Sequence, residues 1–419
     1  MFREVQLKNN LTVVYEKLPF VRSVSFGLWI GTGSRYEIQE TNGVSHFIEH
    51  MLFKGTKSRT ARDIAMAIDN IGGQINAFTG KECTCYYTKT LDSDLETAMD
   101  VISDMLFNSR FDPAHIETEK NVIIEEIGMY EDYPEEMVHD MLAEEVWSGN
   151  SLGYPILGNI QSISGITRDD LLEYMKTYYV PENSVISVAG NFDEYKLIEM
   201  IEKYFGEWKS YNYSRVNAYT PWFNKSVRVK RKETEQVHMC LGFRGVRHGE
   251  ERMYSLLTLN NILGGGMSSR LFQKIREEMG LAYSIYSYPT SYRDVGMFTI
   301  YAASSPQKYK EVINLIKGEI STIINGSISE SDLEKAKNQL KGNFILGLDS
   351  TTSRMNSMGK SRLITGRVKT PDEVLENIDK VTIESITEVI NYVFRPEQIG
   401  LSAIGDVGFD PGLIYNITF

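Results

Sequence analysis

Two of the six histidines in this 419-residue chain stand four residues apart in GVSHFIEHMLFKG, Gly43 to Gly55, with Glu49 beside the second. Residues four apart on a helix lie one above the other, roughly 5–6 Å apart at Cβ. His46 and His50 can therefore share one metal ion, with Glu49 adjacent as a base. Val44, Phe47, Ile48, Met51 and Leu52 recur at the spacing of an apolar helical stripe, which leaves His46, Glu49 and His50 on the opposite face. A solvated face carrying two histidines and a glutamate fits the same pattern. A catalytic zinc needs a third protein ligand and an open position for water, so the first reading depends on the rest of the chain.

The stretch PAHIETEKNVIIEEIGMYED supplies candidates. Glu119 and Glu126, seven apart, share a helical face with Val122, Ile123 and Tyr130, while Glu117, Lys120 and Glu131 point away. A carboxylate on a buried stripe needs a cation or a metal. Glu126 as ligand and Glu119 as a carboxylate orienting a ligand meet that need. Solvated helix ends are the other account.

These elements must be held by a larger frame. A chain of this length exceeds what one core supports, so at least two domains are expected. With 44 basic and 56 acidic side chains the net charge is −12, which excludes an electrostatic grip on nucleic acid and leans toward neutral or basic partners. The three cysteines, Cys83, Cys85 and Cys240, read as reduced thiols and place the chain in a reducing, cytoplasmic compartment. Cys83 and Cys85 in ECTCYYT fit a strand better than a zinc knuckle. MFREVQLKNN has no apolar leader core, and no run reaches the roughly 18 apolar residues of a membrane span, so a soluble chain is expected.

Compared with itself, the chain repeats one plan. Thr167, Pro181 and Gly190 of ITRDDLLEYMKTYYVPENSVISVAGNFD correspond to Thr382, Pro396 and Gly405 of VTIESITEVINYVFRPEQIGLSAIGDVGFD at an offset of 215. SRFDPAHIETEKNVIIEEI and GSISESDLEKAKNQLKGNF pair at an offset of 217. In the second copy Ala336 and Asn343 stand where the first has Glu119 and Glu126, and the two-histidine motif is not repeated. Domains at 1–210 and 231–419 are expected, with a linker at 211–230. The first half is expected to run as a strand in SVSFGLWIGTG, a capped helix from Thr60, strands in QINAFTG and ECTCYYTKTL, and helices from Asp92, Pro113 and Glu135. Clustered strands and helices predict an α+β fold: two structurally similar domains, each a mostly antiparallel sheet packed against helices.

With its His46-x-x-Glu49-His50 motif the sequence resembles the pitrilysin (inverzincin) family of zinc metallopeptidases, and is similar to its short members, mitochondrial processing peptidase and its bacterial relatives. The family glutamate about 76 residues beyond the second histidine falls on Glu126, and a further one falls on Glu119. The likeness extends to GGQINAFTGKECTCYY and to LGGGMSSRLFQKIREEMGLAYSIYS, and spans essentially the whole chain. It implies one zinc ion per chain on His46, His50 and Glu126, Glu49 as general base, and Arg276 and Tyr283 holding the substrate carbonyl. It also implies that an extended peptide adds to a sheet edge at Asn76, Ala77 and Phe78; on residues alone, INAFT is equally an interior strand. Gly264-Gly265-Gly266 lacks a phosphate-binding context and reads as a flexible loop or a helix boundary.

A chain half the length of the family's four-domain enzymes is expected to form a homodimer around a chamber, each zinc site receiving Arg276 and Tyr283 from the other protomer. The expected activity is a zinc-dependent endopeptidase acting on peptides or unfolded segments. The competing readings are a non-catalytic assembly subunit, a processing peptidase requiring an unlike partner, and zinc-dependent hydrolysis of something other than a peptide.

Overall fold

The computed structural model describes residues 2–210 and 219–407. Two compact units are present. The first comprises Met1–Gly128, Tyr154–Ala218 and Leu346–Thr370, and the second Met129–Gly153, Tyr219–Ile345 and Pro371–Phe419.

The first unit is built on six strands, β1 (Arg3–Gln6), β2 (Thr12–Lys17), β3 (Ser23–Ile30), β4 (Gln74–Thr79), β5 (Thr84–Leu91) and β6 (Ser184–Gly190). Their order is β1-β2-β6-β3-β5-β4, with β2 and β6 parallel and every other neighbour antiparallel. The second holds β7 (Ser226–Arg231), β8 (Val237–Gly245), β9 (Ala282–Ser291), β10 (Gly296–Ser304) and β11 (Ile399–Gly405) in the order β7-β11-β8-β10-β9. Here β7 and β11 form the parallel pair. Apart from β1 the topologies coincide strand for strand, and the repeat read in the sequence is a repeat of fold. Gly190 and Gly405, matched by that repeat, close equivalent strands at φ 142° and 153°. A Cβ would lie 2.3 Å from the Ser23 carbonyl oxygen at the first and 2.9 Å from Val237 Cα at the second, so only glycine fits either.

The expected helices form where their signals lie. Thr60 caps α2 (Ala61–Asp69) through a reciprocal bond with Asp63, and Thr167 and Thr382 cap Arg168–Tyr178 and Ile383–Val393 in the same way. With α1 (Val44–Leu52), α3 (Leu95–Asn108) and the buried side of α4 (Pro113–Glu131), these first-half helices cover one face of the first sheet in one apolar core. No described helix is long and apolar enough to cross a membrane.

The halves 1–210 and 231–419 are not the compact units, because each sheet takes its second cover from the other half. α5 (Pro134–Val146) packs on the second sheet, where Val138, Met141, Leu142 and Val146 join Cys240, Tyr301 and Ile404. Its repeat partner, the helix Thr351–Thr365, packs on the first sheet, burying Met355 and Met358 against Val14, Trp29, Cys85 and Val185. Full burial of such a side chain contributes about 1.5–3 kcal/mol, enough to hold a helix against a sheet outside its own half. Polar contacts fix the docking: Ser187 Oγ donates to the Met355 carbonyl at 2.8 Å, and Arg354 pairs with Glu16 at 2.8 Å. A 211–230 linker is likewise too long at its C-terminal end. The alternating SVRVKR of β7 is paired into the second sheet, and residues 211–218 lie outside the described residues.

Candidate metal centre

His46 and His50 lie on α1 with ring centroids 4.6 Å apart. Glu126 reaches them from α4, its Oε2 standing 3.8 Å from His46 Nε2 and 3.7 Å from His50 Nε2. One donor atom from each residue can be chosen so that all three lie within 4.8 Å of one another. A tetrahedral zinc with bonds of about 2.0–2.2 Å needs donors about 3.4 Å apart, so the two distances from Glu126 to the imidazoles are a few tenths of an ångström longer than ligands on one ion require. Two imidazoles and a carboxylate are also the donor set that leaves a catalytic position open.

The electrostatics suit a ligand. Burial first, and the neighbouring His50 second, hold the His46 pKa down to about 3, so that ring is neutral at physiological pH with its lone pair available. His50 Nδ1 stands 3.1 Å from Glu119 Oε2, which orients the ring and leaves Nε2 toward Glu126. Glu119 is almost fully buried, and its other oxygen takes the Lys54 ammonium at 2.8 Å. His46 Nδ1 is buried with no hydrogen-bond partner among the described residues, so only one of the two rings has a carboxylate behind it.

Glu49 projects beside this pair. Burial raises its pKa, and a hydrogen bond from Thr79 Oγ1 opposes that shift. Thr79 ends β4, which forms the outer edge of the sheet and, among the described residues, pairs only with β5. Among the described residues INAFT is thus an edge strand rather than an interior one. Asn76 and Phe78 lie on the exposed face, Phe78 edge-on to Trp29 at 5.5 Å, and the Ala77 N–H is held by Asn76 Oδ1 at 2.8 Å.

The solvated-face reading of α1 fails. His46 is only 8% exposed, because α4 and the sheet edge cover the face opposite the apolar stripe. On α4 the buried line is Ile116, Glu119, Ile123 and Ile127. Val122, expected on it, is 44% exposed, since it lies a turn-fraction beyond the contact. Sequence reasoning missed Lys54 and Thr79. Lys54 carries a weak signal, one helical turn past His50; Thr79 carries none until the sheet edge is known.

Arg276 and Tyr283 lie in the second unit. Arg276 sits on a π-helical turn, Phe272–Glu278, with its guanidinium 4.7 Å from the Phe272 ring and 5.9 Å from that of Tyr283, which is 74% exposed on β9. π-helical segments are rare and concentrate at functional sites. Gly264 ends the helix Met253–Leu263, as a boundary glycine should, and Gly264–Gly266 line a cavity of about 400 Å³ together with Arg276.

A duplicated α+β fold with a two-histidine, one-carboxylate cluster beside a free sheet edge defines the class as metallohydrolase-like. Residues 12–160 match the model of the insulinase family, peptidase family M16, and residues 165–340 match that of the M16 inactive domain. A zinc protease of Bacillus subtilis named YmxG, uncharacterized, is 45% identical over 411 residues, covering 98% of this chain and all of the relative. An uncharacterized zinc protease of Streptomyces coelicolor is 38% identical, over 96% of this chain and 89% of the relative. The chain belongs to peptidase family M16. Among solved structures, a protease from Helicobacter pylori superposes with a TM-score of 0.91 at 21% identity, covering 97% of this chain and 99% of that one. A chain of Complex III2 from Candida albicans gives 0.84 at 22%, covering 96% and 95%. At these identities the likeness is one of fold.

Proposed function

We propose that the chain is a zinc-dependent endopeptidase that cleaves peptides or unfolded segments bound in extended form. The observation that carries this reading is the donor set of His46, His50 and Glu126 with Glu49 held beside it by Thr79, at the end of an unpaired sheet edge. Zinc, when bound by these three residues, supplies a Lewis acid for activating water and polarising a carbonyl. Glu49 takes the water proton and returns it to the leaving amine. Burial raises the pKa of its carboxylate above the usual glutamate value, which favours acceptance of a proton. The outer edge of β4 receives the peptide by main-chain hydrogen bonds, with Asn76, Ala77 and Phe78 along it, once the Asn76 side chain releases the Ala77 N–H. Glu119 orients His50.

Arg276 and Tyr283 donate hydrogen bonds to the substrate carbonyl as it becomes an oxyanion. In a homodimer they come from the partner protomer. Mixed chains carrying Arg276→Ala and Glu49→Gln would then recover activity that neither variant has alone. Cleavage of a mixed peptide library, abolished by a chelator and restored by zinc, tests the main reading. A purified chain that takes up no zinc would sink it and favour an assembly role.

A further inference from the structure

Glu37 lies seven residues before α1, is buried, and belongs to none of the roles described above. Its Oε2 accepts from Asn42 Nδ2 at 2.8 Å and from the Gly43 N–H at 2.7 Å, and its Oε1 accepts from the Ser45 N–H at 2.8 Å. Gly43 is the residue preceding the first turn of α1, has φ 97°, and offers no side chain to cap the helix. The Ser45 amide that a serine or aspartate at that position would ordinarily satisfy, and the Gly43 N–H that a glutamate further into the helix would take, are both satisfied here by one carboxylate from outside the helix. Its negative charge also sits at the positive end of the helix.

The clamp has a second side. Ser45 Oγ bonds Tyr174 OH at 2.8 Å, which bonds Thr32 Oγ1 at 2.6 Å, and Ser162 Oγ donates to the Asn42 carbonyl at 2.7 Å. Ser45 is therefore held through both its backbone and its side chain, and the next residue is His46.

We infer that Glu37 is a positioning residue for metal binding, which fixes the first turn of α1 so that His46 and His50 meet Glu126. This rests on the zinc reading of that cluster. Glu126 stands 3.8 and 3.7 Å from the two imidazoles, a few tenths of an ångström beyond the spacing of two ligands on one ion, so a shift of α1 by about 0.5 Å is as large as that margin. A purely structural cap would hold the fold without holding that spacing.

Zinc affinity measured by competition with a chromophoric chelator separates the two roles. In Glu37→Gln one oxygen survives, and the amide places N–H against N–H at Gly43 or Ser45. The zinc dissociation constant is expected to rise about tenfold, the lower end of the effect of losing a group bonded directly to a ligand, because Glu37 acts on His46 only through the first turn of α1. Leu197→Ala, on the helix Glu194–Phe205 in the same core, is the control: it lowers the melting temperature and leaves zinc affinity within about twofold of wild type. A folded Glu37→Gln chain with wild-type zinc affinity and a lowered melting temperature overturns the inference. Should that variant not fold, Asn42→Ala, which removes one of the three donors, is expected to weaken zinc binding several-fold, and unchanged affinity there overturns it equally. A wild-type chain that binds no zinc refutes the underlying site reading instead.

Discussion

Glu119 lets the centre be tested without touching a ligand. Its carboxylate, almost fully buried, meets His50 Nδ1 at 3.1 Å and Lys54 Nζ at 2.8 Å. Glu119→Gln keeps the volume and one oxygen. That oxygen can serve the ring or the ammonium, and the new amide then faces the other donor. A hydrogen bond involving a charged group contributes about 1.5–3 kcal/mol, and the loss falls on the orientation and basicity of His50. The zinc dissociation constant should therefore rise about 10- to 100-fold, which corresponds to about 1.4–2.8 kcal/mol, in agreement with the bond's own magnitude. Lys54→Met removes only the competitor for the carboxylate and should not weaken zinc binding. Chelator competition at neutral pH, on chains whose melting curves show them folded, reads wild type, Glu119→Gln, Lys54→Met and Glu126→Gln. A Glu119→Gln affinity within twofold of wild type would refute the reasoning. So would a loss as large as that of Glu126→Gln, since Glu119 would then itself be a ligand.

Glu49→Gln should retain zinc and lose at least about 10²-fold in peptide cleavage, and comparable cleavage in the zinc-loaded variant would remove Glu49 from its role. Gly359→Ala tests the docking of Thr351–Thr365 on the first sheet: helix propensity alone favours alanine by about 1 kcal/mol, but the new Cβ would lie 2.2 Å from Nε1 of the fully buried Trp29. Overpacking costs about 1–3 kcal/mol, so thermal melting should show destabilisation, and a stabilised variant would mean the helix is not seated there. In the second unit His139 packs among Tyr286, Tyr288 and Tyr301, with Cys240 3.2 Å from its Nδ1, and burial holds its pKa down to about 4. Because the folded value lies below the unfolded one, His139 contributes its stability fully above about pH 6.5 and loses it as the pH falls toward 4, at about 1.4 kcal/mol per unit. Urea unfolding across that window should show a shallower decline in His139→Gln, and parallel curves would contradict the assignment.

The alternation of QINAFT and ECTCYYTKTL, the threonine caps at Thr60, Thr167 and Thr382, and the repeat of Gly190 at Gly405 are local signals, and each marks its element. The cluster of His46, His50 and Glu126 proposed to bind zinc was legible for the same reason. His46 and His50 are neighbours by helical geometry alone, and Glu126 falls on the inner side of a helix whose pattern is visible in one dimension.

Neighbours that meet only in three dimensions had no such trace. Lys54 behind Glu119 and Thr79 behind Glu49 are defined by the packing of α1 between α4 and a sheet edge, and Glu37 by a loop folding back onto the first turn of α1. That β4 is an edge strand depends on sheet order, on which a strand's own residues are silent. The exchange of α5 and Thr351–Thr365 between the two sheets was hidden in the same way, because an apolar helical stripe states that a helix must be covered and not which sheet covers it. The sequence by itself determined the chemistry available and the pair of matching folds; the tertiary structure decided which side chains stand behind the ligands, because burial and long-range contact belong to the folded chain.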